Sequence, residues 1–84
     1  MTILGKKYKI KYLDDDTMDG YGSIQRGRGI ILINKSKTPD QQAETLLHEV
    51  IHAVDQELMI GLEEADVARL AVGLYSAGLR FISK

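Results

Sequence analysis

No cysteine occurs in the chain, which excludes a disulfide framework and a thiolate zinc site. Histidine and carboxylate are the strong metal ligands that remain. There is no excess of one charge sign either: 11 Lys and Arg against 12 Asp and Glu leave a formal net charge of −1, which argues against nucleic acid as the main partner. No apolar run approaches bilayer-spanning length, and the first fifteen residues lack the apolar region of a signal peptide. No membrane partner and a cytoplasmic location are therefore expected. What is present reads as one small globular domain over residues 1–84, 44% hydrophobic, with a thin core that a bound metal would help to hold.

The stretch from Thr38 to Leu58 organises the rest, because His48, Glu49 and His52 spell HExxH inside a strongly marked helix. On a helix, residues i and i+4 project from the same face one turn apart, so both imidazoles can reach one tetrahedral cation. Glu49 emerges roughly 100° further round, beside that face. A carboxylate there can take a proton from water at the metal without being a ligand. An (i, i+4) histidine pair can also arise by chance on a solvated face, but these are the only histidines in the chain. The helix start is equally clear. Thr38 reads as the N-cap with Pro39 at the first helical position, Gln41 stands where a capping-box partner belongs, and Asp40 faces the positive end of the dipole. Ala43, Leu46, Leu47, Val50, Val54 and Leu58 form one apolar stripe, with Glu44, His48, His52 and Asp55 opposite. A sheet is expected under the stripe, and a further element over the histidines.

Before this helix the pattern is that of strands. Lys6 to Leu13 alternates, Tyr8, Ile10 and Tyr12 against Lys7, Lys9 and Lys11, as in a half-buried strand whose lysines face water. Asp14 to Asp16 lack the spacing of a calcium loop and read as a polar turn running on to Gly22. Tyr21–Gln25 and Ile30–Asn34, joined by the glycine-rich turn Arg26–Gly29, read as a hairpin. Ile30 to Ile33 is apolar without alternation, which signals burial on both faces or a homo-oligomer contact.

After it, Gly61 reads as the helix stop and Glu63 to Leu79 resumes helical period. The apolar face there is Val67, Leu70, Ala71, Leu74 and Gly78, continued by Phe81 and Ile82, with Glu63 and Glu64 at its edges. A carboxylate at such a place is costly unless paired or bound to metal, and two histidines alone under-hold a catalytic zinc, so one glutamate is the natural third ligand. Glu64 is chosen because Ala68 and Ala71 on its side allow close approach, whereas Glu63 shares its side with Leu70 and Leu74. Glu63 is the alternative third ligand. Asp55 lies two turns from His48, roughly 10 Å along the axis, and is better placed behind the ligands as an acceptor for a histidine N–H or as an ordinary exposed acid. The path is a difficulty: a straight first helix with a tight turn would leave Glu64 about one helix turn short of the histidines. An early end near Gln56 or a steep crossing would remove it.

Thr45 to Tyr75, TLLHEVIHAVDQELMIGLEEADVARLAVGLY, together with the preceding IILINKS segment, resembles the small zincin-like metallopeptidases of phage and prophage genomes, similar in style to the HExxH-plus-Glu gluzincins. The resemblance implies an α+β minimal zincin: a short antiparallel three-stranded sheet, the HExxH helix, and a second helix carrying the third ligand. It implies Zn2+ held by His48, His52 and Glu64, with Glu49 as general base. It further implies a peptide or protein substrate lying extended along a sheet edge, and a host-cytoplasm location if the gene is phage-borne. The chain departs from larger relatives in lacking a second subdomain, and no oxyanion stabiliser stands out. Tyr75, roughly 16 Å along the helix from Glu64, is a weak candidate, and Tyr21 is no better placed. An activating partner can be required by so small a peptidase. Two other readings stand beside hydrolysis: an inactive module that binds metal and peptide, and a small interaction protein with an incidental histidine pair.

Overall fold

The computed structural model describes residues 1–81 and orders them as Thr2–Ile3 (β1), Lys6–Lys7 (β2), Lys9–Leu13 (β3), Gly22–Gln25 (β4), Ile30–Asn34 (β5), Pro39–Leu58 (α1) and Glu64–Ser76 (α2). The most apolar strand takes the centre. β5 lies between β3 and β4, pairing parallel with β3 (Lys9 opposite Ile30, Leu13 opposite Asn34) and antiparallel with β4 (Gly22 opposite Ile33, Gln25 opposite Ile30). The sheet is therefore mixed, and the expectation of an antiparallel three-stranded sheet is corrected. The physical reason lies in composition: the IILI run gains most from neighbours on both edges, so the hairpin folds its second strand inward against KIKYL and leaves GSIQ outside.

Lys6 to Leu13 is not one strand. It breaks at the buried Tyr8, and Lys6–Lys7 instead pair with Thr2–Ile3 through a two-residue turn in which Leu4 (φ 49°) and Gly5 (φ 82°) are both left-handed, the type I′ geometry. Asp14 to Gly20 is a polar turn, as its composition implies. Asp14 accepts from Thr17 and Met18 N–H, and the buried Asn34 side chain donates to Asp15 Oδ1 (2.7 Å) and to the Gly20 carbonyl (2.8 Å).

α1 is the middle layer, with the sheet on one side and α2 on the other. Its start carries the full capping box, Thr38 Oγ1 accepting from Gln41 N–H and Gln41 Oε1 from Thr38 N–H. Leu46 and Ala53 join Ile3, Tyr8, Ile31 and Ile33 in the core, with Val50 and Val54 packed against it, while Leu58 is exposed. α2 buries Val67 and Ala71 and leaves Leu70 and Leu74 at the surface, so its buried stripe is narrower than the sequence period suggests. It ends at Ser76 in a Schellman-type turn, Leu79 N–H to the Leu74 carbonyl at 3.0 Å. Ile82, expected to extend its apolar face, lies outside the described residues. Among the described residues no helix is long and apolar enough to cross a membrane.

Candidate metal centre

Regular helix geometry from the Thr38 cap onward places His48 and His52 on one face of α1, their ring centroids 4.9 Å apart. α2 runs back along α1, since Tyr75 near its end donates to Asp40 near the start of α1. Its first residue, Glu64, comes to rest over the two rings. Oε1 lies 2.6 Å from His48 Nε2 and Oε2 2.8 Å from His52 Nε2. One carboxylate thus spans both imidazoles. The three donor atoms lie within 4.8 Å of one another, and among the described residues no further Asp, Glu or His joins the group.

This donor set suits a divalent cation: two imidazole nitrogens and one carboxylate are the three protein ligands of a catalytic zinc, with one position left open. Exposure agrees with an open site, because the Glu64 side chain is 68% exposed while the histidines are at 24% and 21%. Neither Glu63 nor Asp55 is in the group. Glu63 is the N-cap residue of α2, its N–H donating to Asp66 Oδ2 at 3.2 Å. Asp55, expected beside a histidine or exposed, points its carboxylate into the connection between the helices, where Oδ1 accepts from Gly61 and Leu62 N–H at 2.9 Å each.

Glu49 is buried at 6% exposure beside this group. Burial pushes its pKa above the usual carboxylate range, with Glu64 adding to the rise, while the neighbouring imidazoles pull the other way. It opens on a cleft of about 500 Å³ lined by Tyr21 and Gly22 of the β4 end and by Gln41, Glu44, Thr45, His48 and Glu49 of α1. The cleft depends on a glycine. A Cβ at Gly22 would meet Thr45 Cγ2 at 2.6 Å and the Leu32 carbonyl at 2.7 Å, so only a bare backbone lets the sheet edge come this close to α1.

Tyr21 lines the cleft, with Lys37 Nζ 4.9 Å from its ring centroid, while Tyr75 is turned away to Asp40. Sequence spacing ranked neither above the other. The signal that separates them is Gly22, the small residue at the strand start that seats its neighbour against the helix.

The family model described as the IrrE N-terminal-like domain (Peptidase_M78) matches residues 6–69, a span that takes in the sheet, the HExxH helix and Glu64. No curated protein and no solved structure shows a significant match.

Proposed function

The chain belongs to the IrrE N-terminal-like family of zincin-like metallopeptidases, and from that premise we propose that it is a zinc-dependent peptidase. His48, His52 and Glu64 hold the metal, and Glu49 is the general base. The observation that carries this reading is the single Glu64 carboxylate meeting both Nε2 atoms beside a buried, non-ligating Glu49. Zinc, when bound, supplies Lewis acidity, polarising the scissile carbonyl and acidifying water.

The chain's own residues do the rest. Glu49 accepts the proton of the attacking water and returns it to the leaving amine. β4 is an edge strand beside the cleft, and its unpaired backbone edge suits an extended peptide, which would add as a further strand over Tyr21 and Gly22. Ile3 and Tyr8 share the core with Leu46, which supports taking residues 1–84 as one domain. The test is hydrolysis of a peptide library by zinc-loaded wild type and Glu49→Gln, each with its metal content measured. Cleavage by wild type alone, at equal metal content, is expected; cleavage by both removes Glu49 from the reaction, and metal without cleavage by either leaves a binding module.

A further inference from the structure

Glu64 is the first residue of α2, yet it sits over His48 and His52, and α1 continues six residues beyond His52 to Leu58. Six residues of helix are roughly 9 Å, so a connection that simply turned at the end of α1 would leave Glu64 well past the rings. The connection must instead wind back along the last turns of α1. How it does so is visible in its amides. Met59, in the left-handed region, and Ile60 both donate to the Asp55 carbonyl; Gly61 and Leu62 both donate to Asp55 Oδ1 at 2.9 Å. Four consecutive N–H groups are gathered by one residue, and the next, that of Glu63, goes to Asp66. No amide of the connection is left to float.

The clamp has a reason to matter at the metal centre. Glu64 is the most exposed of the three candidate ligands, and among the described residues its carboxylate bonds only the two histidines. Its backbone position is set by the connection before it together with the packing of Val67 and Ala71 after it. Resting on the reading of Glu64 as third ligand, we propose that Asp55 is a positioning residue for the metal centre: its carboxylate draws the Gly61–Leu62 backbone toward α1 and so delivers Glu64 to His48 and His52. Asp55 itself touches neither the cation nor the substrate in this role.

Zinc affinity, measured by competition with a chromophoric chelator, tests the role in wild type, Asp55→Ala, Asp55→Asn, Glu64→Ala and the Asp55→Ala/Glu64→Ala double variant. Asp55→Ala is expected to weaken binding about 10- to 100-fold, the usual effect of losing a group that orients a ligand. Asp55→Asn keeps an oxygen acceptor for both amides and should stay within about threefold of wild type. In the Glu64→Ala background, Asp55→Ala should change affinity little, because the residue it positions no longer binds. An equal loss in both backgrounds, or no loss in either, would overturn the proposal while leaving the zinc site standing. No zinc uptake by wild type, or no effect of Glu64→Ala, would instead sink the ligand reading and the positioning role with it. If Asp55→Ala fails to fold, amide hydrogen exchange on wild type decides: Gly61 and Leu62 N–H must be protected, and exchange at the rate of free amides refutes the clamp.

Discussion

Glu49 faces two demands at once in the proposed role, since a general base must ionise to accept a proton yet this carboxylate is buried away from water. Burial raises its folded-state pKa above the unfolded value, so the folded chain holds that proton more tightly. Stability from this group is then fully present below the unfolded pKa and is lost as pH rises through the folded one. Glutamine cannot titrate. In the metal-free protein, thermal melts of wild type and Glu49→Gln should nearly coincide at about pH 4 and diverge in favour of the variant toward about pH 7. A gap that shrinks with rising pH would contradict the burial argument. At the ligands the expected outcome is starker: His48→Ala should lose stoichiometric zinc, measured by elemental analysis, because two donors remain where three are needed.

The caps of α1 show how local chemistry holds an element whose faces are committed to other layers. Thr38→Ala removes the acceptor for Gln41 N–H and should cost about 1 kcal/mol, a fall of roughly 4–8 °C in melting temperature for a chain of this size. The other end is less well served. Met59 adopts φ 54°, a conformation that strains any residue with a Cβ. Met59→Gly should therefore stabilise by about 0.5–1 kcal/mol with the Asp55 bonds intact, read out as a higher melting temperature. Gly61, the stop that the sequence predicts for this helix, lies two residues beyond Met59 at φ 89°, inside the turn that Asp55 gathers.

At the scale of the whole molecule the layers meet at Gly22 and at the His48, His52 and Glu64 cluster. Gly22→Ala forces a methyl against Thr45 and the Leu32 carbonyl, and such overpacking typically costs about 1–3 kcal/mol. Because the strain falls on the contact between β4 and α1, peptide hydrolysis should drop while zinc content stays near wild type. A melt, a metal assay and a cleavage assay on the same sample separate the two effects. Zinc at about 100 times its dissociation constant should in turn add about 2.7 kcal/mol, raising the melting temperature by roughly 10–20 °C, an effect that chelator reverses.

What the sequence alone determined was everything carried by short-range chemistry. The capping box, the helical period through Leu46, Val50 and Val54, and the HExxH spacing all act within a few residues, and the helix and its histidine face follow from them. That Glu64 and not Glu63 lies beside the histidines agrees with the reading from Ala68 and Ala71, small residues on the side where α2 approaches. The hairpin at Leu4 and Gly5 was not legible, since a leucine at positive φ gives no turn signal and the burial of Ile3 and Tyr8 against distant parts of the chain helps hold it there. Strand order, the seating of Tyr21 in the cleft and the use of Asp55 belonged to the tertiary structure. Each joins groups far apart in sequence or depends on the path of a connection, and the free energy that selects among such arrangements comes from packing the layers together.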